Sequence, residues 1–313
     1  MIVLGAIEDI RSELARLRRN RSFASAEAKV GFVPTMGYLH EGHVSLLRQA
    51  KATCDIVVLS IFVNPIQFGP GEDLDKYPRD EKRDLDIARK AGVDVVFMPT
   101  VETMYPHGAK TYVKVAELTE RLCGASRPGH FDGVSTVVTK LFNIVKPDKA
   151  FFGLKDAQQI AVIEQMVQDL NIDVEIVACP IVREEDGLAM SSRNVYLSPE
   201  EREQALVLSQ ALGRIEDWIG AGANSAEALR SQIVRHIESA PLARIDYVDI
   251  LTFPALQPIE PGTDISERRE TIIVALAVKF GHTRLIDNRL LPQRASYAVE
   301  LFDKEERATC LER

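Results

Sequence analysis

The stretch GFVPTMGYLHEGHVSLL, Gly31 to Leu47, admits few folds. An apolar run from Val30 to Val33 reaches a turn at Pro34-Thr35-Met36-Gly37, and helical spacing resumes at Glu41-Gly42-His43 with Val44, Leu46 and Leu47. A strand that turns straight into a helix belongs to the β-α-β alternation of a parallel sheet. The orphan amide N–H groups of the first helical turn and the positive end of its dipole face that turn, which is how phosphates are commonly held. His40 and His43 stand there at a spacing that puts both imidazoles on one side. Gly42 has no side chain, so a ligand could lie against the backbone. Either histidine alone reads as a part-buried residue with backbone partners. The pair, with the glycine at a strand-to-helix turn, points to a ligand.

The alternation continues. Residues 7–17 have helical spacing, and the helix after the turn is expected to run to about Ala52. Asp55–Phe62 reads as a buried strand, Asp80–Ala91 as a helix stopped by Gly92, and Val93–Met98 as a strand. After an irregular stretch come helix Val134–Val145, strand Lys149–Phe152, helix Asp156–Leu170 and strand Val174–Ala178. The fold class expected is α/β, a doubly wound, Rossmann-like parallel sheet followed by a smaller α+β domain. The boundary is drawn so that residues 1–178 form the first domain, 179–288 the second and 289–313 a tail of unassigned role. The second domain is read as helices Pro199–Gly220 and Ala226–Ala240 and strands Ile245–Ile250, Thr271–Val278 and Leu285–Ile286.

Composition excludes several classes. Over 313 residues, 46% hydrophobic and 27% charged content is that of a soluble globular protein, and a net charge of −8 without a basic stripe argues against nucleic acid. Cys54, Cys123, Cys179 and Cys310 form no CxxC pair, which predicts reduced thiols without a zinc site. The N-terminus turns charged too early for a signal peptide, and the apolar runs are strand-length, so no membrane role and a cytoplasmic location are expected.

Further segments carry candidate chemistry. The loop from Val63 to Gly71 holds Asn64 and Gln67, amides suited to a hydroxyl or carboxylate, or to tying the loop to itself. Glu72–Arg79 is either a mobile flap or solvated surface. Arg127–Gly133, RPGHFDG, is a glycine-rich entry to a helix, with a ligand role left open. In GLKDAQQ, Gly153 turns the chain and Asp156 is a suitable N-cap. Lys155, placed where a helix N-terminus disfavours cations, makes sense facing an anion, with Gln159 one helical turn beyond. In GLAMSSRN, Ser191, Ser192 and Arg193 are a compact set of phosphate donors.

Together, PTMGYLHEGHVSLL, FVNPIQFG with DLDKYPR, RPGHFDGVSTVV, FFGLKDAQQ, DGLAMSSRNVYLS and TRLIDN resemble the pantothenate synthetase family over roughly Met1 to Asn288. HxGH alone marks the wider group of nucleotidylyltransferases and class I aminoacyl-tRNA synthetases. The resemblance implies ATP-dependent ligation of (R)-pantoate and β-alanine through a pantoyl adenylate, with Mg²⁺, by a homodimer. It implies an ATP site lined by Met36, Gly37, Tyr38, Leu39, His40, Glu41, Gly42 and His43, then by Gly153, Leu154, Lys155 and Asp156, then by Val182, Met190, Ser191, Ser192 and Arg193. His40, His43, Lys155, Ser191, Ser192 and Arg193 would carry the chemistry, His43 as proton donor. Gln67 and Gln159 would hold pantoate, with Asn64 and Met36 beside them, and Gln67 would also serve β-alanine. Two positions depart from the family pattern: Leu154 stands where glutamate is expected, and Asp84, the nearest match to an acidic magnesium support, is beside Arg83 rather than another acid. No protein ligand is assigned to the metal. The competing readings are an HxGH enzyme that transfers AMP to a phosphorylated small molecule, which the amide set disfavours, and a non-catalytic ATP-binding module.

Overall fold

The computed structural model describes residues 1–21, 27–106, 108–267 and 270–292. In chain order the first part runs β1 (Ile2–Leu4), α1 (Ile7–Arg21), β2 (Val30–Thr35), α2 (Glu41–Thr53), β3 (Ile56–Ile61), α3 (Glu81–Lys90), β4 (Val95–Phe97), α4 (Val101–Met104), α5 (Leu122–Ser126), α6 (His130–Val145), β5 (Lys149–Gly153), α7 (Ala157–Asp169) and β6 (Glu175–Cys179). The six strands form one parallel sheet in the order β1-β4-β3-β2-β5-β6. Val30, Phe32 and Val33 in β2 and Ile56 to Leu59 in β3 are fully buried, as expected of central strands covered by helices on both faces.

The chain steps outward from β2 to β3 and β4, then returns to the other side of β2 for β5 and β6. The strand order therefore reverses between β2 and β5, and ligands of such sheets sit at the carboxyl ends beside that reversal. HxGH follows β2 and GLKD follows β5, so both motifs fall there. Strand β1 is an addition to the expected pattern; three residues with Ile2 and Val3 exposed give no periodic signal, yet they pair with β4. Helix α6 starts at His130, ahead of the expected Val134, because Gly129 at φ 81 turns the chain into it in a conformation that other residues rarely adopt.

The second part holds α8 (Pro199–Ala205), α9 (Val207–Gly213), α10 (Ile215–Gly220), α11 (Ala226–Glu238) and an antiparallel sheet β7 (Ala243–Thr252), β8 (Ile272–Phe280), β9 (Thr283–Leu291). The single helix expected over Pro199–Gly220 is three short ones. Leu206 and Arg214 at the breaks keep right-handed backbone angles, and Leu208, Ala211, Leu212 and Ile215 stay buried in the core shared with α11 and β8. Strand β9 extends past Asn288 to Leu291, so the first residues of the expected tail are sheet; residues 293–313 lie outside those described.

Two compact units result: Met1–Glu184 with Ala189–Ser192, and Glu185–Leu188 with the described residues from Arg193 on. An isolated antiparallel bridge, Arg183 to Ala189, and a bond from Met190 N–H to the Val182 carbonyl (3.0 Å) return the chain to the first unit after that excursion. Ser191 and Ser192 thus count with the parallel sheet and Arg193 with the second unit, whereas the boundary expected at 178/179 assigns all three to the smaller domain.

Candidate active site

The turn after β2 is built around a buried carboxylate. Gly37 (φ 84) and Tyr38 (φ 51) are consecutive left-handed residues, which aim the next amides at a common point. Tyr38 N–H donates to Asp84 Oδ2 and Leu39 N–H to Asp84 Oδ1, both at 2.7 Å. A side chain at Gly37 would put its Cβ 2.9 Å from Ile61 Cγ2 and 3.0 Å from Asp84 Oδ2, so only glycine fits. Burial raises the Asp84 pKa, opposed by those two amides and by Arg83, whose guanidinium also lies 5.0 Å over the Tyr38 ring. Asp84 is therefore a structural brace of the HxGH turn. Tyr38 and Leu39 contribute the turn's shape and not free donors, and the Leu39 side chain is fully buried. The signal is legible in part, because Asp84 and Ala88 occupy the buried face of α3 at helical spacing.

His40 is the N-cap of α2. Its Nδ1 accepts from Gly42 N–H (3.1 Å), while His43 Nδ1 accepts from His40 N–H (3.2 Å), a reciprocal capping box made by two imidazoles. The His43 and Val44 amides bond to the His40 carbonyl at 2.8 and 3.1 Å. This corrects the expectation that orphan helix amides face the ligand, since the Gly42 and His43 amides are consumed by His40. A second reason for Gly42 also emerges: a Cβ there would lie 2.8 Å from His40 Cε1 and 2.9 Å from Nδ1, so the glycine makes room for the His40 ring. The rings stack with centroids 4.1 Å apart. Because an amide N–H can only donate, Nδ1 of each ring is an acceptor and Nε2 carries the proton. Burial, followed by the nearby Lys155 charge, lowers His40 to about 4; burial, then His40 and Lys155, lowers His43 well below the usual histidine range. At neutral pH both are uncharged Nε2–H donors. Glu41 points elsewhere, into an ion pair with Arg48.

Across the strand reversal, β5 ends at Gly153 and a 3-10 turn, Leu154–Asp156, leads into α7. Asp156 occupies the cap position but makes no side-chain capping bond; its carboxylate lies 3.5 Å from Lys155 Nζ. Lys155 is close enough to His40 and His43 to depress both, so the cation and the two imidazoles form one cluster. Gln159 is half-buried, one helical turn beyond that lysine. Its neighbour Gln158 is buried and pins the 118–123 loop through Leu118 O, Arg121 O and Cys123 N–H at 2.7–2.9 Å.

Gln67 is held from several directions. Asn64 Nδ2 donates to the Gly133 carbonyl and to Gln67 Oε1, each at 3.1 Å, and Tyr105 OH donates to Asn64 Oδ1 at 2.9 Å. Because a carbonyl can only accept, the Gly133 contact fixes the Asn64 amide, and Asn64 in turn fixes Gln67 with Nε2 outward. Gln67 Nε2 meets the Met36 sulfur, at 3.1 Å. Asn64 is 1% exposed with both polar atoms engaged, and it ties the loop to α6 and orients Gln67. Gly133 is required here, since a Cβ would lie 2.5 Å from Ile66 O and 2.6 Å from Gln67 Cα.

The 72–79 segment is fastened on both sides. Arg127 makes a two-pronged ion pair with Glu72, with Nε and Nη2 at 2.7 and 2.6 Å. Tyr77, 5% exposed, packs edge-on against Phe68 and has its hydroxyl 3.2 Å from Ser192 Oγ. Sequence reasoning does not single out Tyr77, Tyr105 or His130 as contacts of the site, for isolated residues in loops and helix starts lack a periodic signal. Met190 approaches Gly42, its Cβ lying 3.8 Å from where a Gly42 Cβ would be, while Arg193 opens the second unit. Among the described residues no helix is long and apolar enough to cross a membrane, and no group of three or more His, Cys, Asp or Glu is placed to hold a metal.

A parallel α/β sheet with paired imidazoles and a lysine at its strand reversal is the arrangement of a nucleotide-handling α/β protein. The family description pantoate–β-alanine ligase matches residues 3–290, and the chain belongs to that family. A pantothenate synthetase of Pelotomaculum thermopropionicum is 55% identical over 293 residues, covering 94% of this chain and all (100%) of that protein. One from Heliobacterium modesticaldum is 56% identical over 285 residues, covering 91% and 98%. Among solved structures, pantothenate synthetase from Thermus thermophilus superposes with a TM-score of 0.83 at 46% identity, covering 92% of this chain and 99% of that one. The Francisella tularensis pantoate–β-alanine ligase, solved with β-γ ATP and β-alanine, gives 0.73 at 36% identity, covering 93% and 97%.

Proposed function

We propose that the chain condenses (R)-pantoate with β-alanine through a pantoyl adenylate formed at the β2–β5 strand reversal. A pantoate carboxylate oxygen bonds to the α-phosphorus of ATP as the bond to the bridging oxygen breaks, and that electron pair leaves with pyrophosphate. The unprotonated amine of β-alanine then bonds to the acyl carbon, the acyl–oxygen bond to AMP breaks, and the amine proton passes to solvent. The observation that carries this reading is the imidazole pair. His40 and His43, locked with Nδ1 inward, offer two Nε2–H donors beside Lys155, suited to an oxygen that gains charge as pyrophosphate leaves. Ser191, Ser192 and Arg193 would add donors to the phosphates. Gln67 and Gln159 would orient pantoate through neutral amides, leaving its carboxylate nucleophilic.

Mg²⁺ has no fitting cage among the described residues, and both Asp84 oxygens are taken by backbone amides. We assign the metal to the nucleotide, which carries it on its own phosphates, and no step is routed through it. Use of ATP supports a cytoplasmic protein, and family membership supports a homodimer, which light scattering of the purified chain would check. The deciding assay is ATP–pyrophosphate exchange with Mg²⁺ and pantoate but no β-alanine. Pantoate-dependent exchange is expected, followed by AMP and pantothenate when β-alanine is added. Nucleotide binding without exchange would overturn the adenylate route.

A further inference from the structure

The RPGH segment is absorbed by none of the roles above, yet it touches the residue proposed to hold pantoate. His130 Nδ1 lies 2.8 Å from the Gln67 backbone carbonyl, and Arg127 Nη2 lies 3.5 Å from the same oxygen. A carbonyl oxygen accepts and never donates, so Nδ1 must carry the proton. Burial, then Arg127, lowers His130 to about 4, so the ring holds a single proton at neutral pH and Nε2 is left as an acceptor. Arg127 Nη1, 3.0 Å away, donates to it. The tautomer is therefore dictated from both sides, and Arg127 is itself held by the two oxygens of Glu72.

One turn along the same helix, Gly133 packs against Gln67 with no room for a methyl group. The first turn of α6 thus both packs against the Gln67 main chain and bonds to its carbonyl. We propose that His130 is a positioning residue for pantoate, fixing the Gln67 backbone through an Nδ1–H···O=C bond so that the Gln67 side-chain amide faces the substrate. The inference rests on the reading that Gln67 binds pantoate.

The test is steady-state AMP formation by the full-length protein with pantoate varied at saturating ATP and β-alanine, and then with ATP varied. Asparagine places an amide N–H near the Nδ1 position, whereas glutamine places one near Nε2. His130→Gln is expected to raise the half-saturating pantoate concentration about tenfold, the usual worth of one hydrogen bond, with half-saturating ATP unchanged. His130→Asn is expected to stay within about threefold of the parent. Equal losses for the two variants, or equal shifts in pantoate and ATP, would overturn the positioning role. If His130→Gln fails to fold, His130→Asn decides alone, and a tenfold loss there overturns the proposal. Gln67→Ala separates the two layers. Pantoate saturation unchanged by Gln67→Ala sinks the Gln67 reading and this inference with it, whereas a shift with Gln67→Ala but none with His130→Gln sinks the inference alone.

Discussion

Gly42→Ala separates two explanations for a glycine inside HxGH. The new Cβ would lie 2.8 Å from His40 Cε1 and 2.9 Å from Nδ1. Ordinary contact begins near 3.4 Å, so the ring must retreat by about half an ångström, and the bond from Gly42 N–H to Nδ1 is broken or stretched. Loss of an N-cap bond costs about 1 kcal/mol, and alanine regains up to about 1 kcal/mol over glycine in a helix. Stability should therefore change by less than about 1 kcal/mol, measurable by denaturant melts. If His40 is the proposed donor, activity should not be spared, because displacing such a group by a fraction of an ångström to 1 Å costs roughly 10- to 100-fold. Pantoate-dependent ATP–pyrophosphate exchange is the readout, run on Gly42→Ala, His40→Ala and the double variant. If the glycine acts through the His40 ring, the second substitution adds little to the first. Independent, multiplying losses would mean that a ligand rests directly on the Gly42 backbone, and exchange at the parent rate would refute the steric argument outright.

Gly133→Ala drives a Cβ into the backbone at Ile66 and Gln67, so it should cost about 1–3 kcal/mol in denaturant melts and weaken pantoate saturation more than ATP saturation; a variant with parental stability and kinetics would contradict the packing. Acid should also weaken the fold through His40. Its folded pKa of about 4 lies below the ordinary 6.5, so the unfolded chain binds a proton that the folded chain refuses between those values. Stability from this source is full above 6.5 and is lost as pH falls towards 4, by at most about 3.5 kcal/mol at about 1.4 kcal/mol per pH unit. Melting of His40→Asn across pH should show a shallower acid limb, and an unchanged limb would show that His40 is not held neutral.

The alternation of strands and helices is legible because β2 and β3 are continuous apolar runs and α6 and α7 keep a regular apolar face. Short β1 and the one-residue breaks at Leu206 and Arg214 are not, since they are settled by strand pairing and tertiary packing, which local spacing does not encode. Within the site, the residue types at the strand ends are readable and their partners are not. His40 and His43 stand out by type and spacing, but that each spends Nδ1 on a backbone amide depends on cap geometry. Asn64 and Gln67 look equivalent in sequence. The Gly133 carbonyl, 69 residues beyond Asn64, is what makes one a brace and leaves the other outward.

A pattern links these corrections. The backbone donors that sequence reasoning offers to a phosphate are used by the chain on itself: Tyr38 and Leu39 amides on Asp84, the Gly42 amide on His40, the His43 amide on the His40 carbonyl. Donation outward is delegated to side chains whose hydrogen-bond polarity is already fixed by those inward bonds. Backbone amides would offer a permanent partial charge to any anion, substrate and product alike. In the proposed reaction two neutral imidazoles held 4.1 Å apart beside Lys155 would respond differently, because charge developing on the departing pyrophosphate raises their proton affinity at the moment it forms. Such donors grip the transition state more strongly than the ground state. In the proposed reaction the inward bonds of His40 and His43 are therefore part of the chemistry, for without a fixed tautomer neither Nε2 would reliably carry its proton.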